Sequence, residues 1–290
     1  MNAFTDRPLA PTNIGNRTFH WGCHTFVMGV LNATPDSFSG DGLADDIDRA
    51  VKQALRFQYD GADIIDIGGE STRPASLYSG AGPISTEEEL ARVIPVIEAL
   101  APVLDIPISV DTYKAEVADA ALDAGAAMIN DVWGFRRDPD MAAVAADSGA
   151  PVVLMHNQAH TRYDDLVPDV IAQLRSMADD AVVAGVKPEN IILDPGMGFG
   201  KTAEHNLEIL RRLGEFHVLD APLLVGMSRK STIGYVLDLP VEERLDGTAA
   251  TVALSVAYGA DVVRVHDVKE MVRVAKMSDA VVRGWTQPDA

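Results

Sequence analysis

Short apolar runs, often β-branched, recur along the chain, and segments with apolar residues at helical spacing lie between them. Eight of these runs are predicted strands: Phe26 to Leu31, Ile64 to Ile67, Ile108 to Val110, Met128 to Ile129, Val152 to Leu154, Ile191 to Leu193, Leu223 to Val225 and Val262 to Val265. The predicted helices include Ile47 to Tyr59, Thr86 to Ala101, Glu116 to Ala124, Val170 to Ala184 and Glu204 to Leu213. Alternation of strand and helix predicts a parallel sheet.

Eight such repeats in 290 residues, without a low-complexity linker, favour a closed TIM (β/α)₈ barrel over an open doubly wound sheet. The absence of a G-x-G-x-x-G motif after the first strand also argues against a dinucleotide fold. Arg17 to Phe26 alternates around Gly22, which predicts a β-hairpin that closes the barrel floor. We therefore predict one barrel domain at 17–285, a flexible N-terminal extension at 1–16 and a C-terminal tail at 286–290.

Composition narrows the function classes. The net charge of −19 argues against nucleic-acid binding, although a few local basic residues could still hold an anionic substrate. The chain has a single cysteine, Cys23, and no apolar run of membrane-spanning length, so neither a disulfide framework nor a membrane span is predicted. The polar stretch from Met1 to Ile14 lacks the apolar core of a secretory signal. We expect a cytoplasmic protein.

The run from Asp194 to Lys201, DPGMGFGK, is the most informative segment. It joins a predicted strand to a helix and combines a carboxylate, a glycine-rich turn and an aromatic ring. Glycines let the backbone approach a flat or anionic ligand closely, and α/β proteins bind ligands at the carboxyl ends of their strands. The simpler alternative is a left-handed turn with a solvated aspartate.

Polar side chains follow every predicted strand, and in a barrel these positions converge on one rim. They are Asn32, Glu70 to Arg73, Asp111, Asn130-Asp131, His156-Asn157, Asp194, Ser228 to Lys230, and Arg264 with His266. A single polar strand end is explained by solubility alone. A complete set of eight indicates a site.

The chemistry of these side chains divides into two groups. One group suits a fused heterocycle with an amidine-like edge, because a carboxylate accepts two parallel N–H bonds: Asp111, Asn130, Asp194 and Lys230. The other suits a phosphate or pyrophosphate: Asn32, Thr72, Arg73, Arg264 and His266. Two alternatives remain open: the aspartates could form a buried ion network with Lys230, and His266 could be a hydrogen-bonded core residue.

The sequence contains no closed zinc site and no activated nucleophile of a known type. A hard cation such as Mg²⁺ needs only substrate phosphates and one or two protein oxygens, and Asn32 could supply one. Glu70 and the neighbourhood of His156 are candidate acid or base groups.

Several segments together resemble one family, the dihydropteroate synthases. Met28 to Ser39 resembles the first signature of the family, and Asp63 to Pro74 resembles the second. Further matches follow in the family's order: Ser109 to Thr112, Asn130-Asp131, Asp194 to Lys201, Ser228 to Ser231 and Arg264 to Val268. The resemblance implies a TIM barrel that joins 6-hydroxymethyl-7,8-dihydropterin pyrophosphate to p-aminobenzoate, releasing pyrophosphate and forming 7,8-dihydropteroate.

The resemblance also implies roles for individual residues. Pterin binding is implied for Asp111, Asn130, Met155, Asp194, Phe199, Gly226 and Lys230. Pyrophosphate binding is implied for Asn32, Arg73, Arg264 and His266, with Asn32 also contacting Mg²⁺. The p-aminobenzoate side would comprise Phe38, Thr72, Arg73, Pro74, Phe199, Lys230 and Ser231. The catalytic group would be Asp111, Asp194, Lys230, Arg264 and His266. We also expect a homodimer, because barrels of this kind often pair through their outer helices and the apolar pattern near Val252 to Tyr258 permits it.

The implied mechanism needs no nucleophilic side chain. Pyrophosphate departs first and leaves a pterin-stabilised cation, which the arylamine then attacks. The chain departs from the family pattern at Asp41, in the longer loop Ala75 to Gly82, and at Asn157. Two alternatives stay open: a pterin-binding paralogue without catalysis, and a methyltetrahydrofolate-dependent methyltransferase. The second should lack the anion-binding Ser-Arg-Lys and Arg-Val-His segments, both of which this chain has.

Overall fold

A computed structural model describes residues 8–33, 43–70 and 83–285. Its strands are β1 (Thr12–Ile14), β2 (Arg17–Phe19), β3 (Phe26–Asn32), β4 (Ile64–Gly68), β5 (Ile108–Asp111), β6 (Met128–Asp131), β7 (Val152–Met155), β8 (Ile191–Asp194), β9 (Leu224–Val225) and β10 (Val262–Val265). Its α-helices are α1 (Leu43–Asp60), α2 (Thr86–Leu100), α3 (Ala115–Asp123), α4 (Met141–Ser148), α5 (Leu166–Ala184), α6 (Ala203–Arg211), α7 (Ser231–Leu237), α8 (Leu245–Ala257) and α9 (Val268–Val282).

The eight strands from β3 to β10 form one parallel sheet in the order β8-β7-β6-β5-β4-β3-β10-β9. A parallel bridge between Leu193 and Leu223 joins the two outer strands, β8 and β9, so the sheet closes on itself. Helices follow the strands along the chain and pack outside them. The predicted (β/α)₈ barrel is confirmed, and the carboxyl ends of all eight strands lie at one end of it.

Side chains alternate between two apolar clusters, as expected for strands that are buried on both faces. One cluster lies between the strands and the surrounding helices and includes Val27, Ile65 and Val110. The other lies inside the barrel at the amino-terminal end of the strands and includes Met28 and Ile64. Because the inner cluster fills only that end, the inward positions near the carboxyl ends are left for polar groups.

A hairpin of β1 and β2 closes the barrel floor. Thr12 pairs with Phe19 in antiparallel register, and Phe19 packs its ring 4.7 Å from that of Phe26. Trp21 completes the floor, with its ring 5.4 Å from Phe26 and its indole nitrogen donating to Thr12 Oγ1 at 3.0 Å. The floor hairpin is therefore present, but the predicted residues, Arg17 to Phe26, were wrong.

The hairpin turns at Gly15, where φ is +58°, rather than at Gly22. The signal was missed because each strand has only three residues, too few for a clear alternating pattern. The predicted boundary between 1–16 and 17–285 falls inside this hairpin. The N-terminal strand β1 thus packs with the barrel.

The six strands from β3 to β8 run one or two residues further than predicted, because ladder pairing continues to their polar ends, whereas β10 has the predicted bounds and β9 begins one residue later than predicted. Asn32, Asp111 and Asp194 are the last residues of their strands, and β6 extends through Asp131. Across the described ranges, no helix is long and apolar enough to cross a membrane.

Candidate active site

The inward-facing residues at the carboxyl ends of neighbouring strands form a polar layer above the floor cluster. Asp111 and Asn130 are register partners on β5 and β6, and Met155 and Asp194 are register partners on β7 and β8. All four are buried, each at most 7% exposed. The barrel therefore brings these four residues together at its carboxyl end, where β5 and β6, with Asp111 and Asn130, form the first wall of the site.

Arg264 lies at the centre of a buried charge network. Its Nη2 donates to Asp111 Oδ2 at 2.6 Å, and its Nε donates to Asp66 Oδ2 at 2.6 Å. The same Asp66 oxygen accepts from Asn130 Nδ2 at 3.0 Å. The predicted anion-binding arginine is therefore joined directly to one predicted ring-binding residue, Asp111, and through Asp66 to a second, Asn130.

Asp66 had no role in the sequence prediction. It lies in the middle of β4, in the apolar run Ile64–Gly68, and is completely buried. A charge at an alternate position of a buried strand is a recognisable signal, because an ionised carboxylate is not buried without a partner. Its partner Arg264 lies 198 residues away along the chain, so no local pattern identifies the pair.

Burial controls the protonation of Asp111. Desolvation raises the pKa of its carboxyl group from 3.8 to about 7; Arg264 opposes this increase and the negative charge of Asp66 adds to it. The remaining oxygens, Asp66 Oδ1 and Asp111 Oδ1, are buried without a hydrogen-bond partner, as is Ser109 Oγ, which lies on β5 in register with Asp66. Unpaired buried acceptors are costly, so this wall is suited to a ligand that brings N–H donors.

The second wall is the glycine-rich turn after β8. Asp194 Oδ1 accepts from the Gly196 amide at 2.7 Å, and desolvation raises the pKa of the Asp194 carboxyl against the opposing charge of Lys230. Lys230 donates to the carbonyl of Met197, and its ammonium lies 4.7 Å from the centre of the Phe199 ring. The turn therefore carries a carboxylate and an aromatic face, as predicted, and Lys230 adds an ammonium beside them.

Lys201 stabilises this turn by hydrogen bonds to its carbonyl groups. Its Nζ donates to the carbonyls of Gly196 and Phe199, both at 3.0 Å, and lies 2.8 Å from His156 Nδ1. Desolvation lowers the pKa of Lys201 to about 7 and that of His156 to about 3. His156 is therefore neutral at physiological pH and positions Lys201, and a role as a proton donor, one of the predicted alternatives, is not supported.

His266 follows β10 and faces Ser228 across the rim. Its backbone N–H donates to Ser228 Oγ at 3.1 Å, and its Nδ1 lies 3.0 Å from the same oxygen. Ser231 begins α7, directly after Lys230, and Gly226 follows β9. Asn32 ends β3, half-buried and next to Gly68 in register.

The structure tests some predictions and leaves others outside the described residues. Phe38, Thr72, Arg73 and Pro74 lie outside them, as do Asp41 and the loop 75–82. Glu70, a candidate acid or base, is instead paired with Lys114 at 2.9 Å. Asp131, next to Asn130, faces away from the barrel interior and accepts from the amides of Trp133 and Phe135.

Within the described residues, no cluster of three or more His, Cys, Asp or Glu side chains could hold a metal ion. Asn32 offers one carbonyl oxygen at the rim, which fits a hard cation held mainly by substrate phosphates. Chemically, the site combines donors and acceptors for a planar ring with an adjacent cationic group. None of its described side chains has the partners of an activated nucleophile, and the buried charges and hydrogen-bonding groups are suited to positioning and electrostatic stabilisation.

Comparisons with known proteins agree with this geometry. The family described as pterin binding enzymes matches residues 28–266. Dihydropteroate synthase of Clostridium beijerinckii is 53% identical over 271 residues, covering 93% of this chain and 99% of that protein.

Two solved structures are also similar. A Clostridium difficile dihydropteroate synthase, crystallised in the presence of pteroic acid, has a TM-score of 0.86 and 48% identity, with 94% of this chain and 99% of that one covered. A Xanthomonas albilineans dihydropteroate synthase with 4-aminobenzoic acid has a TM-score of 0.84 and 43% identity, with 89% and 93% covered. The chain belongs to the pterin-binding enzymes and, within them, to the dihydropteroate synthase family.

Proposed function

We propose that this protein condenses 6-hydroxymethyl-7,8-dihydropterin pyrophosphate with p-aminobenzoate, giving 7,8-dihydropteroate and pyrophosphate. The observation that carries the proposal is the buried wall of Asp111, Asn130 and Asp66, which joins ring-type acceptors to the cation of Arg264. Relatives named dihydropteroate synthase align with nearly all of the chain, which supports the proposal. Both segments that the methyltransferase alternative should lack are part of the site.

In this proposal the ring lies between the two walls. Its N–H groups donate to Asp111 and Asp194, Asn130 completes the edge contacts, and Met155 and Phe199 pack against its faces. Carboxylates accept such paired donors with short, charge-assisted bonds. Lys230 contacts the ring near Phe199, Gly226 leaves room beside it, and Ser231 with Phe199 forms the described part of the p-aminobenzoate side.

The chemical step is proposed to begin with departure of pyrophosphate. Arg264, His266 and Asn32 stabilise the charge that develops on the leaving group, while the carboxylates stabilise the cation that develops on the pterin methylene. The arylamine then attacks this carbon and loses a proton. Its nitrogen is scarcely protonated at neutral pH, so positioning rather than a strong base is sufficient.

Mg²⁺ is proposed as the cofactor. Asn32 is the described residue that would contact it, with the remaining ligands supplied by the substrate's phosphate oxygens and water. When bound, the ion would neutralise charge on the departing pyrophosphate. We also propose a cytoplasmic homodimer, supported by the single exposed cysteine and by exposed apolar residues on α7 and α8, Tyr235, Val236 and Leu254.

The deciding experiment measures pyrophosphate release by the purified protein with dihydropterin pyrophosphate and Mg²⁺, with and without p-aminobenzoate. We expect release that requires both substrates and yields dihydropteroate. Pterin binding without turnover would indicate a non-catalytic paralogue instead. No pterin binding at all would contradict the assignment of the ring site.

Ring binding is expected to depend on pH through Asp111. Because burial raises the pKa of this carboxyl to about 7, it becomes protonated, and loses acceptor capacity, as the pH falls through 7. Affinity for the dihydropterin should therefore weaken below that pH, by up to about tenfold per pH unit, the limit for one titrating group. Isothermal titration calorimetry on both sides of pH 7 measures this.

The Asp111→Asn variant is the control, since it cannot titrate. We expect it to bind more weakly at pH 8 and to show a flat profile over the same range. A wild-type profile that is equally flat would contradict the role given to this carboxylate.

A further inference from the structure

Asp66 lies one layer deeper in the barrel than the residues that would contact the ring. It is in register with Ser109 of β5, which precedes Asp111 by two residues on the same face of that strand. The side chain of Asp66 is completely buried. Asp66 therefore acts on a bound ligand only through the side chains above it.

One oxygen of Asp66 holds two of those side chains. Asp66 Oδ2 accepts from Arg264 Nε at 2.6 Å and from Asn130 Nδ2 at 3.0 Å. A carboxylate that pairs with a guanidinium only accepts hydrogen bonds, so Asn130 must turn the nitrogen of its amide, and not the oxygen, toward Asp66. The two ends of an asparagine amide have nearly the same shape. Asp66 is thus the group that decides between the two orientations of this amide.

The orientation leaves Asn130 with one donor and one acceptor for a ligand. Nδ2 carries two hydrogens, and Asp66 accepts only one of them. No described residue donates a hydrogen bond to Asn130 Oδ1, although the residue is only 3% exposed. A buried acceptor without a donor is costly. Asn130 is therefore suited to a ligand edge on which an acceptor and a donor are neighbours.

Asn130 also lies between the two carboxylates of the site. The sheet order runs β5, β6, β7, β8, and Asp111, Asn130 and Asp194 lie at the carboxyl ends of β5, β6 and β8. An ionised carboxylate accepts hydrogen bonds and donates none, so N–H groups of the ligand belong at both ends of this row. The middle of the ligand edge is left to Asn130.

We infer that Asp66 is a positioning residue for ring specificity: by accepting from Asn130 Nδ2, it decides which end of that amide faces each part of the ring. Because β4 lies on the β5 side of β6, the nitrogen end lies toward Asp111 and the oxygen end toward Asp194. The inference rests on the proposed function and deepens it.

This order of donors and acceptors matches one edge of a dihydropterin. Along that edge lie N8–H, the lone pair of N1, the amino group on C2 and N3–H. Asp111 accepts from N8–H, and Asp194 accepts from N3–H and the amino group. Between them, the Asn130 amide donates to N1 and accepts from the amino group. A reversed amide would place its oxygen against the N1 lone pair and its N–H against the amino group.

The test compares 6-hydroxymethyl-7,8-dihydropterin with its 2-oxo analogue, 6-hydroxymethyl-7,8-dihydrolumazine. In the analogue N1 carries a proton and C2 carries a carbonyl oxygen, so the donor and the acceptor in the middle of the edge are exchanged. Isothermal titration calorimetry gives the Kd of each ligand for the wild type and for Asp66→Asn. We expect the wild type to prefer the dihydropterin by at least about 100-fold, and Asp66→Asn to reduce that preference by about 10-fold or more.

The preference falls because the new amide at position 66 can both donate and accept, so it holds either orientation of Asn130. A purely structural role for Asp66 would instead weaken both ligands equally and leave their ratio unchanged, which would overturn the inference. Neither ligand carries a pyrophosphate, so the binding of an anion by Arg264 does not enter the ratio.

Asp261→Asn is the matched control. Asp261 is 1% exposed and directly precedes β10, at the opposite end of the barrel, where its Oδ2 accepts from the Leu223 amide at 2.9 Å. This variant should lower Tm and leave the ratio of the two Kd values unchanged. An equal fall of the ratio in Asp261→Asn would mean that the ratio reports general loosening, and it would also overturn the inference.

Asn130→Ala is a second variant in case Asp66→Asn does not fold, because it leaves the pair of Asp66 and Arg264 in place. It removes the middle contacts and should reduce the preference at least as much as Asp66→Asn. In the double variant the preference should fall no further than in Asn130→Ala, because Asp66 acts through Asn130.

The wild-type titration separates this inference from the proposed function. Failure of the wild type to bind the dihydropterin would contradict the proposed function. Tight binding by the wild type, with an unchanged preference in Asp66→Asn or in Asn130→Ala, would contradict only the role of Asp66.

Discussion

Arg264→Met is expected to lower the free energy of unfolding at pH 8 by about 3–5 kcal/mol, the range for removing one partner of a buried ion pair. The guanidinium is the hydrogen-bond donor to both Asp66 and Asp111, so its loss leaves two carboxylates facing each other in the barrel interior. Chemical denaturation of the variant and the wild type, followed by circular dichroism, measures the difference.

The deficit should shrink as the pH is lowered. Arg264 lowers the pKa of Asp111 in the wild type, so its removal moves that pKa further above about 7. Below this value Asp111 is protonated in the folded variant, and the repulsion with Asp66 disappears. The variant should therefore be less defective at pH 6 than at pH 8. A deficit that does not change with pH would contradict the assignment of Asp111 as the titrating group.

Arg229→Met is the control for Arg264→Met. Arg229 also pairs with an aspartate, Asp267, but its side chain is 40% exposed. Exposed ion pairs contribute about 0–1 kcal/mol, so this variant should differ little from the wild type in stability and should show no comparable pH dependence. In a binding assay, Arg264→Met should reduce the affinity for the pyrophosphate ester far more than the affinity for the free pterin alcohol.

Gly196→Ala is expected to be at least as disruptive. Gly196 has a φ of +69°, and a Cβ at this position would lie 1.8 Å from the carbonyl oxygen of His156. The left-handed conformation costs about 1–2 kcal/mol for a residue with a Cβ, and overpacking adds about 1–3 kcal/mol. We expect a loss of about 3 kcal/mol or more in unfolding free energy. Displacement of the turn should also separate Asp194 from Phe199 and weaken pterin binding.

Gly149→Ala separates the two causes. Gly149 ends α4 with nearly the same backbone angle, φ +67°, but nothing lies within 4 Å of the added Cβ. This variant should therefore lose only the conformational share, about 1–2 kcal/mol, and keep wild-type pterin affinity. If both glycine variants lost the same stability, the close approach to His156 would carry no energetic weight.

Repetition explains why the fold could be predicted from the sequence. Each strand and helix has its own apolar pattern, so the barrel follows from eight local signals. The same holds for Asp111 and Asp194, because a carboxylate at the end of a parallel strand can be located without knowing its partner.

Side-chain pairing over long distances could not be predicted in the same way. Asp66 and Arg264 belong to strands at opposite ends of the sequence, and they meet only because β10 pairs with β3 and β3 with β4. The assignment of Arg264 to the anion end alone therefore missed its direct bond to Asp111. The buried pairing of Lys114 with Glu70 and Glu89 could not be predicted for the same reason, since Lys114 is 44 and 25 residues away from these partners along the chain.

Among the residues that the structure describes, Phe19, Trp21 and Phe26 close the floor of the barrel, so its interior is open only at the opposite end. A ring bound at Asp111 must enter and depart at the end opposite this floor. Ligands then leave in the reverse of the order in which they enter, because the ligand nearest the open end must leave before the ligand that is bound deeper. Each new pterin has to wait until the previous dihydropteroate has cleared the same route, so product departure sets an upper limit on turnover.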